Sequence, residues 1–416
     1  MSRRDFGRVV ALAGAAGGAV LSGLSTAPAA NAADLSWTMR GPIGNGLSGF
    51  DDAMRNFMQP RGIAAGSLAV VRNGKLVLAR GYSYSADPAV QTQPTSLFRI
   101  ASISKPITAT AVLRLVQEGR LSLTARVTDL LGLTPTDPDL RQVTVLNLLQ
   151  HRGGFQTSPD PMFSDYEIKS AFGLRLPIGQ ADIVRYVAGK ELATSPGAEY
   201  HYSNFGYLLL GRVIERVTGQ PYDTYVRQAV LAPKGITRMR QGRSLPQYRA
   251  SGEVSYQSGI TASTVMDDSG AVVPIQYGGF NLENMAAHGA WLSTSVDLVR
   301  FASIYDGPNS VLDAASINQA FAVPAAETGS PSWYYGCGWA VVLPGGGVRN
   351  TYHDGSLPGT TTFLVRRYDG VTWAVLFTKR AESSGDPDYS AIDYDLHVAA
   401  DNAAWPTVDY YPGYGF

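Results

Sequence analysis

Apolar residues recur at both helical and strand spacings along this 416-residue chain, and the two patterns occupy different regions. Over residues 49–59, Phe50, Met54, Phe57 and Met58 fall on one side of a short amphipathic helix. Strand-like runs rich in Val, Leu and Ala follow at 67–72 and 75–80, joined by Asn73-Gly74, the preferred two-residue hairpin turn. An extended lead-in from Phe98 then opens a helix in which Ile107, Ala111, Val112, Leu115 and Val116 repeat at three- and four-residue steps. Pro106 suits its first turn, where a missing N–H costs nothing, and Gly119 suits its end. From about 121 to 290 the texture changes to helices and long loops. Thr144 caps a helix through Leu146, Leu149 and His151, ended by Gly153-Gly154. Residues 207–218 give another, closed by Gly219, and 295–305 a third, introduced by Ser293-Thr294. Strands return at 335–343, 361–367 and 371–378, and 388–403 reads as a closing helix. Early and late strands around a helical block predict an α+β fold. One antiparallel sheet flanked by helices is built from both chain ends, with a mostly helical inserted subdomain over 121–290 and a cleft between.

Composition supports a large core: 45% of residues are hydrophobic and 16% charged. Formal net charge is zero, so there is no electrostatic case for nucleic acid or an anionic membrane as partner. Residues 1–33 read as a targeting segment. Ser2-Arg3-Arg4-Asp5-Phe6 is a twin-arginine signature, residues 9–24 are weakly apolar, and Ala30-Asn31-Ala32 offers a cleavage site. The apolar run is too short and glycine-rich for a stable membrane span. The expectation is a domain over 34–416, exported folded and working outside the cytoplasm. Cys337, the single cysteine, sits in an apolar strand context, a small buried side chain that leaves no intrachain disulfide.

Three short stretches carry candidate chemistry. Ser102 and Lys105 are three apart at a helix start, so a hydroxyl and an amine share one face near the positive end of the helix dipole: a nucleophile with its own base. Tyr202 and Asn204 lie two apart on a loop fixed by Pro196-Gly197. Tyr202 can exchange a proton with Ser102 or a leaving group, and Asn204 can hold a substrate amide or the Lys105 amine. His353-Asp354-Gly355-Ser356 precedes a strand, where Gly355 lets a ligand approach the backbone. The Ser356 N–H, with that of Ser102, can form an oxyanion hole, and His353 can donate to a substrate carboxylate or to Tyr202. Gly44-Asn-Gly46-Leu-Ser-Gly49 matches G-x-G-x-x-G, but no strand is read before it and it is discarded as a dinucleotide site. The five histidines lack ligand spacing, so neither a metal nor a cofactor is expected; His151 and His288 read as structural, and His201 is open.

Taken in this order, the three stretches resemble the active-site set of the serine β-lactamase and penicillin-binding S-x-x-K family, in particular its class C branch. Tyr202-Ser203-Asn204 is similar to that branch's Tyr-x-Asn motif, and His353-Asp354-Gly355 to its Lys-Thr-Gly or His-Thr-Gly motif. Gln150-His151-Arg-Gly-Gly154 and Ala290-Trp-Leu-Ser293-Thr294 fall where the family has His-x-x-Gly and Gly-Gly-x-x-Ser-Thr. The resemblance implies a β-lactamase/transpeptidase-like fold and an acyl-enzyme on Ser102, with Lys105 and Tyr202 moving protons. Asn204, His353, Gly355 and Ser356 would bind a small-molecule or peptide substrate. It also implies a D-Ala-D-Ala carboxypeptidase-like or D-stereospecific peptidase. A carboxylesterase or transacylase on a small ester is the alternative, and a penicillin-binding sensor without turnover another. Asp354 is the main departure: an acid there, in place of threonine, opposes a substrate carboxylate.

Overall fold

The structure, a computed structural model, describes residues 35–416; the twin-arginine reading of 1–33 lies outside the described residues. An eight-stranded sheet is its spine. Three strands come from the N-terminal side: β1 (Ser36–Arg40), β2 (Ala65–Arg72) and β3 (Lys75–Ser85). Five short strands follow: β4 (Phe98–Arg99), β5 (Arg240–Gln241), β6 (Thr261–Ser263), β7 (Val272–Pro274) and β8 (Trp291–Ser293). The rest are β9 (Trp333–Tyr335), β10 (Ala340–Gly345), β11 (Val348–Leu357), β12 (Thr360–Arg366) and β13 (Val371–Phe377). The large sheet runs β1-β3-β2-β13-β12-β11-β10-β9 and is antiparallel throughout, so β2 and β13 join the two chain ends at its centre.

Both faces of the sheet are covered, which is why β13 is buried at every position instead of alternating. Its Val371, Trp373, Val375 and Phe377 pack beneath α1 (Ser48–Arg61), which buries Phe50, Met54, Phe57 and Met58 as its periodicity predicts. Ala374 and Leu376 face the opposite cluster. That side holds α2 (Ser104–Gln117), α3 (Val145–Leu149), α4 (Asn204–Thr218) and α5 (Ser295–Ala302). The closing helix α6 (Ala391–Asp401) returns to lie on α1. In the β2–β3 hairpin Asn73 and Gly74 both have positive φ, 47° and 79°, the signature of a type I′ turn. Among the described residues, no helix is long and apolar enough to cross a membrane.

Four readings need correction. The strand read over 335–343 is two strands, because the chain turns at Gly336–Trp339. Gly338 has φ +81°, and a Cβ there would stand 2.5 Å from Ala109 Cβ, so only glycine lets this turn sit on α2. Cys337 is therefore buried in a turn, not a strand, and burial pushes its thiol up to about 12. The stretch from Tyr352 to Leu357 precedes a strand, β12, as read, but is not a loop leading into it; it is itself the second half of β11. The glycine-rich run at 44–49 does follow a strand, β1. A Cβ on Gly44 would meet Pro406 at 2.4 Å and one on Gly46 the Ala404 carbonyl at 2.4 Å, so the C-terminal segment fills the space a pyrophosphate would need.

Candidate active site

Ser102 is presented by strain. It lies in a single 3-10 turn, Ala101–Ile103, between β4 and α2, not in the α-helix itself. Ala101 has φ +47°, a left-handed value that costs a non-glycine residue about 1 kcal/mol. Thr362 holds this turn from the sheet, its hydroxyl donating to the Ile100 carbonyl at 3.0 Å. Gly355 lets β11 come close: a Cβ would fall 2.4 Å from Ile100 O and 3.1 Å from Ser102 N. The last residue of β11 paired with β10 is Tyr352, so beyond it that edge of β11 is open alongside Ser102. Ser356 is exposed on that stretch, and its backbone lies next to the glycine that abuts Ser102 N.

One turn along, Lys105 is fully buried at the start of α2. Its Nζ lies 2.9 Å from Ser102 Oγ, 2.7 Å from Asn204 Oδ1 and 3.2 Å from the His288 carbonyl. Burial pushes the amine down to about 7, opposed by the charges of Asp160 and Asp354. The neutral amine is thus abundant at physiological pH, and Nζ can then accept the Ser102 proton across the 2.9 Å contact. Tyr202 stacks beneath: Nζ sits 4.6 Å from its ring centroid, and its hydroxyl is hydrogen-bonded to Ser102. Burial drives that phenol well above its usual range, so Tyr202 stands as a neutral donor and the lysine as the base.

The Tyr202–Asn204 loop is clamped by His151. The His151 carbonyl accepts from His201 N at 2.7 Å and its Nδ1 accepts from Ser203 N at 3.0 Å. The ring lies 4.2 Å from that of Tyr202. His151 itself has φ +55°, just past α3, whose Thr144 makes the expected cap. Ser203 then caps α4, which starts three residues earlier than its apolar pattern indicates.

Two residues that sequence reasoning missed complete the arrangement. Asp160 Oδ2 accepts from Asn204 Nδ2 at 2.6 Å, and its other oxygen accepts from Met162 N at 3.0 Å. The Asn204 amide is therefore fixed with its oxygen toward Lys105 and its nitrogen toward Asp160. The one local hint was an acid before Pro161, a capping pattern that says nothing about Lys105. Tyr335 is the other: its hydroxyl lies 2.8 Å from His353 Nε2. His353 is buried, and its Nδ1 donates to the Asp354 carbonyl at 2.6 Å. It therefore reaches Tyr335, not Tyr202, and burial beside Lys105 pushes it down to about 3. It offers no positive charge to a carboxylate. His288 lends only its carbonyl to Lys105; its Nε2 faces Met162 Sδ at 3.1 Å. His201, left open by the sequence, pairs with Glu199 at 3.2 Å near the surface.

The Beta-lactamase family profile matches residues 50–396, which contain every residue of this cluster. The chain belongs to the beta-lactamase family. Protein flp of Staphylococcus aureus (strain COL) is 34% identical over 190 residues, 45% of this chain. The match spans only 36% of flp's own length. Penicillin-binding protein 4* of Bacillus subtilis (strain 168) is 26% identical over 328 residues, covering 75% of this chain and 69% of that one. Among solved structures, the D-amino acid amidase of Ochrobactrum anthropi SV3 superposes with a TM-score of 0.64 at 24% identity, covering 85% of this chain and 99% of the other, a likeness of fold.

Proposed function

We propose that this beta-lactamase-family chain transfers acyl groups through Ser102, with amides of D-amino acids as the preferred donors. The observation that carries the reading is the buried Lys105 amine 2.9 Å from Ser102 Oγ, pushed by burial to about 7. In the proposed cycle, neutral Lys105 takes the Ser102 proton as Oγ attacks the substrate carbonyl. The N–H groups of Ser102 and Ser356 stabilise the resulting oxyanion. Tyr202 passes a proton to the departing amine or alcohol and is resupplied from Lys105, leaving an ester on Ser102. Water then enters, the same groups run in reverse, and the acid and free serine are restored. No cofactor enters the scheme.

The D-stereospecific peptidase or amidase reading takes support from the names of the relatives, a penicillin-binding protein and a D-amino acid amidase. A D-Ala-D-Ala carboxypeptidase fits less well, since neutral His353 supplies no cation for a terminal carboxylate. An esterase on a small ester is the second reading, favoured by that same absence. The test is intact mass of the purified protein after a fluorescent penicillin and, separately, p-nitrophenyl acetate, beside Ser102→Ala. A stable penicillin adduct absent from the variant supports the peptidase or sensor readings, and rapid ester turnover without one supports the esterase. Labelling that survives in Ser102→Ala refutes the nucleophile. Twin-arginine export belongs to the proposal, on Arg3-Arg4 and the Ala30-Asn31-Ala32 site. Secretion that persists when both arginines become lysine would overturn it.

A further inference from the structure

Three residues before Ser102, one side chain gathers a long stretch of chain. Arg99, the last residue of β4, is fully buried. Its guanidinium donates through Nη1 to the Gln276 carbonyl at 2.7 Å and through Nη2 to the Arg243 carbonyl at 3.0 Å. Its Nε, without a hydrogen bond among the described residues, faces Glu253 Oε1 at 3.8 Å, and both side chains are out of solvent. The guanidinium also lies 4.4 Å from the centroid of the Tyr256 ring. The Tyr256 hydroxyl accepts from the Arg99 backbone N–H at 2.8 Å and donates to Glu253 Oε1 at 2.8 Å. Leu97 is stitched to the same stretch: its N–H donates to the Gly252 carbonyl at 2.8 Å, and its carbonyl accepts from Val254 N at 3.0 Å. All of these partners belong to the connection between β5 and β8.

The other end of Tyr256 touches the hairpin that carries Ser356. Gly359, in the turn between β11 and β12, has φ +79°, and a Cβ there would stand 2.7 Å from Tyr256 Cβ and 3.4 Å from Gln276 Cβ. Gly359 lies three residues past Ser356, as Arg99 lies three before Ser102. One tyrosine therefore bridges the two segments whose N–H groups form the oxyanion hole of the proposed cycle. Burying a guanidinium and a carboxylate is costly, and packing alone does not require it; what the planar fork adds is direction, since it holds two carbonyls of the connection at set angles. We propose that Arg99, Glu253 and Tyr256 are positioning residues that set the spacing between the N–H groups of Ser102 and Ser356. This rests on the Ser102 acyl-enzyme and adds what holds its oxyanion hole to width. The effect belongs to the transition state, where charge grows on the carbonyl oxygen, and not to ground-state binding.

The experiment measures single-turnover acylation by p-nitrophenyl acetate and by its thiono analogue, in which sulfur replaces the carbonyl oxygen. Sulfur is larger and a weaker acceptor, so the oxygen-to-sulfur rate ratio reports how well the two N–H groups are placed. Both rates come from one preparation, so the ratio is independent of the fraction folded. The variants are Tyr256→Phe, Glu253→Gln and Arg99→Lys, with Gly359→Ala pressing on Tyr256 from outside the buried pair. In each, the ratio should fall on the order of tenfold. The maximal acylation rate should fall with it, while the half-saturating ester concentration and the pH inflection set by Lys105 stay in place. A wild-type ratio in Tyr256→Phe and Glu253→Gln, whatever their Tm, would reduce the cluster to a support of the fold and overturn the proposal. An inflection that moves would put the effect on Lys105 and overturn it too. Failure of the ester to acylate Ser102 in the unaltered protein, read by intact mass, would instead refute the acyl-enzyme reading, and the positioning role with it.

Discussion

Asp160 should set the pH at which this enzyme switches on. It reaches Lys105 through one amide: Nζ to Asn204 Oδ1 is 2.7 Å and Asn204 Nδ2 to Asp160 Oδ2 is 2.6 Å. Adding the width of the amide, the two charges lie at most ~7 Å apart, which at an effective dielectric near 20 is an attraction of about 2 kcal/mol. That attraction favours the protonated amine, so it opposes the burial that pushes Lys105 down to about 7. Asp160→Asn removes the charge while keeping an oxygen able to accept from Asn204. The amine should then fall further, by about 1 to 2 pH units. The sign matters. Lys105 is active when neutral, so the wild-type rate should rise with pH and level off above about 7. In Asp160→Asn the rise should come earlier, on the acid side. The assay is the pH dependence of kcat/KM for p-nitrophenyl acetate between pH 4.5 and 9, with single-turnover acylation rates as a check. An inflection that stays put in Asp160→Asn, with the protein folded by circular dichroism, refutes the electrostatic link. A wild-type inflection near the ordinary lysine value would refute Lys105 as the base altogether.

Three further outcomes follow from contacts already described. Gly355→Ala places a methyl 2.4 Å from the Ile100 carbonyl and the Thr362 hydroxyl, so β11 must retreat from the Ser102 turn; acylation by p-nitrophenyl acetate should fall on the order of a hundredfold while thermal stability drops little. His151→Ala removes the acceptor of Ser203 N–H and the ring under Tyr202, and should cost about 1 to 3 kcal/mol in urea unfolding together with a fall in kcat, whereas an intact kcat would argue that the clamp is structural only. Asp393→Asn, at a carboxyl buried on α6, should raise Tm at pH 8 by a few degrees and lose most of that advantage by pH 4, read by calorimetry. Its folded-state value, about 7, lies above the unfolded 3.8, so charging it costs the fold stability progressively between those values, and fully above the upper one.

What the sequence disclosed and what it hid divide along one physical line. Ser102 and Lys105 were legible because a single helical turn brings them together, and Asn73-Gly74 because a two-residue turn has few solutions. The sheet joining both chain ends was legible because its strands are long and apolar. Links that depend on distant segments were not. Asn204 toward Lys105 was one of two readings, and what fixes its orientation is Asp160, 44 residues away and without any spacing motif. His353 was placed correctly beside the cluster but given the wrong partner, since Tyr335 reaches it from the neighbouring end of the sheet. The broken strand at Gly336–Trp339 misled for a related reason. Its apolar residues do pack, but the turn geometry is imposed by α2, which periodicity along the chain cannot register.

The same separation explains how the site is tuned. Local sequence supplies the reacting pair, and long-range packing supplies its electrostatics. Burial alone would hold Lys105 neutral and leave Ser102 next to a base with little affinity for its proton. Asp160, through Asn204, and Asp354, from the sheet, each add back some of the protonated state, and the balance falls at about 7, where proton uptake and release are both accessible. Three chain segments far apart in sequence meet at one nitrogen: the α2 start with Ser102, Asn204 in the first turn of α4 with its Asp160 partner, and the His288 carbonyl. Moving any of them shifts the base even where no reacting atom is touched.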